Sequence, residues 1–196
     1  HDALPIFSRE KSNGATVEIC YSPMEALTIA ENNPDKEIVF LGIGFETTVP
    51  LTASVVLEAA RRQLQNFSVL SAHKTMPDAL NTLLNSDKVK VTGLICPGHV
   101  SAITGFSIYN AIVNDLKIPS VICGFEPNDI LQTILMILEQ IKDGRSMIEN
   151  QYTRGVKKEG NRKAQELIHE VFIPVDSVWR GIGQIPNSGL EINDQY

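Results

Sequence analysis

The chain has 196 residues, 43% hydrophobic and 20% charged, with 17 Lys and Arg against 23 Asp and Glu, for a net charge of −6. Such a chain can bury roughly 70% of its unfolded surface, and its composition excludes a disordered or collagen-like polymer. The acidic balance argues against nucleic-acid binding, which needs clustered Lys and Arg, and no apolar run approaches the ~20 residues that cross a bilayer, so neither nucleic acid nor membrane is an expected partner.

The chain opens on His1-Asp2-Ala3 without methionine, and residues 1–14 read as a leader or remnant. Residues 16–21 (TVEICY) are β-branched and read as a strand. Ser22-Pro23 then starts a helix: a side-chain cap, followed by a residue with preset φ and no donor to leave unpaired. That helix stops at Asn33, because the residue before Pro34 avoids the helical region. Residues 36–43 form a second, nearly all-apolar strand, as expected where both faces are covered. A helix over 50–65, a strand over 67–72, a helix over 77–85 and a strand over 91–96 follow. A helical turn near 101–104 ends at Gly105, a helix runs from 107 to 116, a fifth strand covers 119–123, and a long helix covers 127–142. In that long helix Ile130, Ile134, Ile137, Leu138 and Ile141 make an apolar stripe that reads as core.

This alternation predicts an α/β fold over residues 15–145: a mostly parallel, open sheet of about five strands with helices on both faces, Rossmann-like. Residues 146–196 read as a helical and loop-rich C-terminal extension, with a helix over 162–172 and a tail rich in Gly and Pro that holds Trp179. Such a tail borrows stability from whatever it packs on, and a domain outside these residues is the expected surface. Cys20, Cys96 and Cys123 cannot all pair and show no C-x-x-C spacing, which points to a reducing, cytoplasmic setting.

Four strands run into polar loops: GIGFETT (42–48), AHKT (72–75), CPGHVS (96–101) and CGFEPND (123–129). In a parallel sheet all four fall on the carboxyl edge, where open α/β sheets place ligands, and each precedes a helix whose amides face the same way. The first loop has G-x-G but no third glycine, and no phosphate-loop signature occurs. Thr47 and Thr48 either bind a small polar ligand or cap the next helix. Glu46 and Glu126 close the two copies of a repeated G-F-E tripeptide. They either form an acid/base pair, if their strands are close, or bond donors in their own loops. Cys96-x-x-His99, with His73 and Cys123 on the same edge, is not a recognised zinc pattern, and no metal is expected within these residues. The loop would hold the His99 imidazole at the ligand edge. Tyr152 and Arg154 sit in a polar run that either is solvated or packs on a partner.

Six segments, GFETTVP (44–50), PGHVSAITG (97–105), GFEPNDIL (124–131), ENQYTR (149–154), EGN (159–161) and WRGIGQIPNSGL (179–190), resemble in order the HypD family of nickel–iron hydrogenase maturation proteins. The resemblance covers essentially all of the chain from Gly14 onward. It implies a scaffold that joins the small protein HypC around an iron carrying two cyanides and one carbon monoxide, with HypE supplying cyanide from a thiocyanate. It also implies a four-iron, four-sulfur cluster and redox thiols. Their motifs, C-G-G-H-T-H, G-P-G-C-P-V-C and a terminal cysteine group, do not occur here. The residues are therefore expected to be a central portion, without a cofactor of their own and not catalytic alone. By resemblance they would supply one wall of the iron/cyanide cleft, with Glu46 and His99 as catalytic candidates and Thr47, Thr48, Ser101, Glu126 and Asp129 lining it. Tyr152, Arg154 and Trp179 would face a partner or the missing N-terminal domain. A pure docking module and a stand-alone phosphate- or nucleotide-binding domain are the alternatives.

Overall fold

A computed structural model describes residues 3–87 and 89–196. Of the expected leader, residues 1 and 2 lie outside the described residues, and the rest is largely helix α1 (Ala3–Ser12). The remaining helices are α2 (Pro23–Asn32), α3 (Val49–Arg62), α4 (Met76–Leu84), α5 (Gly98–Thr104), α6 (Asn110–Asn114), α7 (Pro127–Lys142) and α8 (Arg162–Val171). Their ends obey local chemistry. The Ser22 hydroxyl accepts from the Met24 amide at the start of α2, and the Asn161 side chain accepts from Ala164 N at the start of α8.

The chain is α/β, with small sheets. Strand β1 (Ile38–Gly44) pairs in parallel with β2 (Phe67–His73). Strands β3 (Leu94–Pro97), β4 (Ser120–Cys123) and β5 (Ile148–Asn150) form a second parallel sheet in that order. The expected single sheet of about five strands is thus two sheets of two and three. Apolar runs mark where strands exist, whereas pairing depends on contacts far apart in the chain. Residues 16–21 do not form a strand, because among the described residues no strand pairs with them. The 107–116 helix is a 3-10 turn (Ser107–Tyr109) running into the short α6.

The segment expected to be loop-rich instead forms an antiparallel hairpin, β6 (Phe172–Trp179) and β7 (Gly183–Ile192), with a bulge between Val175 and Ser177. Its glycines and prolines sit within and between real strands. The hairpin packs on the first sheet: Ser71 Oγ donates to Leu190 O at 2.6 Å, and Thr75 N to Ser188 O at 3.0 Å. Val171, Phe172 and Leu190 share a core with Val49, Ala53 and Val56 of α3. A second core gathers Cys96, Tyr109, Ile112, Ile122 and Val156 around the three-stranded sheet. Phe172→Ala empties a site that is 3% exposed and removes the ring standing edge-on to His73 at 5.8 Å. We expect a loss of about 3–5 kcal/mol, read by urea unfolding.

Helix α7 corrects the expected core stripe. Of its isoleucines and leucines only Ile137 is buried, alongside Asp129, Thr133 and Gln140, while Ile130, Ile134, Leu138 and Ile141 face outward. Polar bonds set this orientation. Gln140 donates to Glu149 Oε2 at 2.6 Å and accepts from Met147 N at 2.9 Å, and Asp129 is held as described below.

Candidate functional site

The carboxyl end of β1 turns sharply at Gly44, which has φ +146°, and any Cβ there would collide with the Thr48 hydroxyl. The turn sends Glu46 inward, 5% exposed. Its Oε1 accepts from Met76 N at 2.7 Å, while Oε2 is buried without a partner. Burial pushes this carboxyl above the usual carboxylate range, against the pull of the Met76 amide. Thr47 is half-buried and Thr48 exposed. Thr48 stands at the N-cap of α3, but its hydroxyl donates back to Phe45 O at 3.1 Å rather than capping the helix.

The end of β2 lies alongside. His73 is buried, with Nε2 3.0 Å from Thr52 Oγ1, and burial lowers its pKa against the nearby Gly44 carbonyl. Lys74 reaches the hairpin through Ser177 Oγ and through Val178 O at 3.3 Å. Trp179 closes the same edge: its ring lies 5.9 Å from Phe45, and its Nε1 donates to Ser188 Oγ at 2.8 Å. The hairpin therefore packs against the carboxyl end of the β1–β2 sheet.

The second edge is built from three loops. The exposed His99, at the start of α5, stacks on Phe125 with ring centroids 4.0 Å apart and planes 30° off parallel. Phe125 stands edge-on to Tyr152 at 5.8 Å, and the Arg154 guanidinium lies 4.8 Å over the Tyr152 ring. Arg154 grips Asp129 with two bonds, 2.8 Å to Oδ1 and 2.5 Å to Oδ2. The buried Asp129 also accepts from Gln151 Nε2 at 2.8 Å and from the Glu126 amide at 3.1 Å. Arg154 beside it holds its carboxyl far below the usual range. Glu126 is three-quarters exposed and 3.8 Å from Arg154. The Tyr152 ring nests against Gly98, Gly124 and Gly155, so closely that a Cβ at any of the three would overlap its neighbours.

The predicted residues thus fall into two groups. Glu46, Thr47, Thr48 and Trp179 gather at the first sheet, and His99, Glu126, Asp129, Tyr152 and Arg154 at the second. Glu46 and Glu126 lie on different sheets, and Glu126 has Arg154 as its ion-pair partner. Ser101 is fully buried, bonding Pro97 O and the Tyr109 hydroxyl, each at 2.8 Å. The Tyr109 hydroxyl in turn lies within electrostatic reach of Glu46. Phe125 and Gln151 are not among the site residues that the sequence points to, and His73 enters there only as a neighbour of Cys96-x-x-His99 on the same edge. The signals that could have found them were the AHKT loop, the repeated G-F-E tripeptide and the ENQ run.

A four-iron, four-sulfur cluster needs four thiolates, or a near equivalent, in one place. The chain has three cysteines, and Cys96 lies inside a core with its thiol pushed up to about 12 by burial. Among the described residues no group of three His, Cys, Asp or Glu is placed to hold a metal ion, so this donor set does not fit such a cluster. No helix among the described residues is long and apolar enough to cross a membrane. A cavity of about 650 Å³ lies away from His99 and Glu46, between α5 and the start of α8, lined in part by Ile103, Lys157 and Arg162.

Comparison with known proteins gives one family. The family model described as HypD, "Hydrogenase formation hypA family", matches residues 5–196. The chain is 46% identical over 187 residues to the hydrogenase maturation factor HypD of Rhodobacter capsulatus, covering 95% of this chain and 50% of that one. It is 43% identical over 187 residues to the Escherichia coli factor of the same name, again 95% and 50%. To that of Cupriavidus necator it is 42% identical over 195 residues, 96% and 52%. The chain spans about half the length of the relatives it matches.

Proposed function

We propose, from the premise that this chain belongs to the HypD family of hydrogenase formation proteins, that its two motif-bearing edges form one wall of the cleft in which the iron centre of nickel–iron hydrogenases is assembled. The iron precursor, with its cyanide and carbon monoxide ligands, is cargo in this reading. The observation that carries it is the chain of contacts from Asp129 through Arg154, Tyr152 and Phe125 to His99. The buried Asp129, paired with the half-exposed Arg154, and the two rings of Tyr152 and Phe125 hold one exposed imidazole at a sheet edge, the kind of prepositioned donor that recognises a developing or ligand-borne negative charge. The imidazole would donate to the nitrogen end of cyanide. Glu46, buried with one oxygen free, would hold or pass a proton. Thr47, Thr48 and the amides of the motif loops would complete the wall, with HypC and HypE as partners in the cytoplasm. Reduction of a thiocyanate needs electrons, which in this reading come from the thiols and cluster that the family resemblance implies.

The test is His99→Ala in the full-length protein, introduced into cells lacking their own copy. Hydrogenase activity should fall at least tenfold while the protein stays folded and still retains HypC. Wild-type activity would remove the reading. A second reading, a pure docking module, draws on the exposure of the His99 and Phe125 rings, since aromatic anchors dominate many interfaces. It predicts instead that His99→Ala and Phe125→Ala lose HypC or HypE in a pull-down.

A further inference from the structure

The β1–β2 sheet is clothed on one side only. On that side Phe67 packs with Leu27 and Val55, and Val69 with Val49 and Phe172. On the other side Val39 and Ile43 of β1 and Leu70 of β2 are 55%, 56% and 59% exposed. The register sets Val39 beside Ser68, Leu41 beside Leu70 and Ile43 beside Ala72, so these side chains form one continuous, mostly apolar surface. Parallel sheets ordinarily have both faces covered, because crossover helices lie on them. Among the described strands β1 pairs with β2 alone, so the sheet also has an open edge beside this face. A bare apolar face next to an open edge marks an interaction site.

The relatives indicate the occupant. Each carries about as many residues again outside the region matched here. We propose that the bare face of β1–β2 is the seat of that remaining half of the HypD polypeptide, packed on it within the same molecule. The inference does not depend on the cleft reading. Its failure would show in chemical protection, whereas failure of the cleft reading would show in hydrogenase maturation.

The experiment places single cysteines in the full-length protein and follows maleimide labelling by mass spectrometry. Val39→Cys and Leu70→Cys report on the face, and Asp35→Cys, on an exposed turn, is the reference. Labelling at 39 and 70 should be at least tenfold slower than at 35, and equally slow on dilution. Rates equal to the reference would overturn the proposal, and would leave a separate partner protein as the occupant. Protection that fades on dilution would overturn it in favour of a second copy. Hydroxyl-radical footprinting of the unsubstituted protein reads Val39, Ile43 and Leu70 without any mutation, and strong oxidation there would be equally contrary.

Discussion

Gly98→Ala in the full-length protein is expected to abolish hydrogenase maturation and to lower stability by about 1–3 kcal/mol, the usual cost of overfilling a packed site. The new methyl group would meet the Cys123 carbonyl oxygen and lie 2.9 Å from Cδ1 of Tyr152. A backbone carbonyl within a strand cannot swing aside as a flexible side chain can. The Tyr152 ring cannot retreat easily either, because Gly124 and Gly155 hold it from two other directions. Relief has to come from displacing Tyr152, and with it Phe125 and His99. Gly124→Ala should act alike, since its methyl group falls on the Asp129 carboxylate that Arg154 and Gln151 hold in place. Urea unfolding and hydrogenase activity in complemented cells read the two effects. Wild-type behaviour in both variants would contradict the packing described for this edge.

Glu46→Gln is expected to separate stability from function. Glutamine keeps an oxygen to accept from Met76 N and removes the titrating proton. Burial raises the Glu46 pKa in the folded chain above its ordinary value of 4.5. The folded state therefore binds this proton more tightly than the unfolded state does. Both states hold it well below pH 4.5, and the native chain loses stability as pH rises through the raised value. The glutamine variant carries no such cost. It should melt above the native protein at neutral pH, and the gap should close in acid. Maturation should nevertheless drop by about 10²-fold or more, the range in which a positioned acid or base contributes. A lower melting temperature at neutral pH would contradict the burial argument, and full maturation would remove the proton-handling role.

Elements that bury apolar side chains could be read from sequence, and those fixed by polar bonds or distant pairing could not. Strands β1, β2 and β4 are apolar runs and lie within two residues of their expected bounds. Strand β5 hides in the polar Glu149 and Asn150, and it exists because β4 offers an edge to pair with. The hairpin was obscured because Pro174, Pro186 and Gly189 read as loop residues, although an antiparallel ribbon with a bulge accommodates them. The site followed the same rule. The loops at the sheet ends were visible as polar punctuation after strands. That Arg154 reaches back 25 residues to Asp129, or that Tyr152 fills a nest of three glycines, depends on tertiary placement that no local pattern records.

In the proposed cleft His99 is a donor to the cyanides of the iron precursor. The most direct test of that role is the infrared spectrum of the HypC–HypD complex purified with the precursor bound, comparing the full-length native protein with His99→Ala. Removing a hydrogen bond to a cyanide nitrogen should move the cyanide stretching bands while leaving the carbon monoxide band nearly in place. Cyanide bands that coincide in the two proteins, with the precursor bound in both, would contradict it.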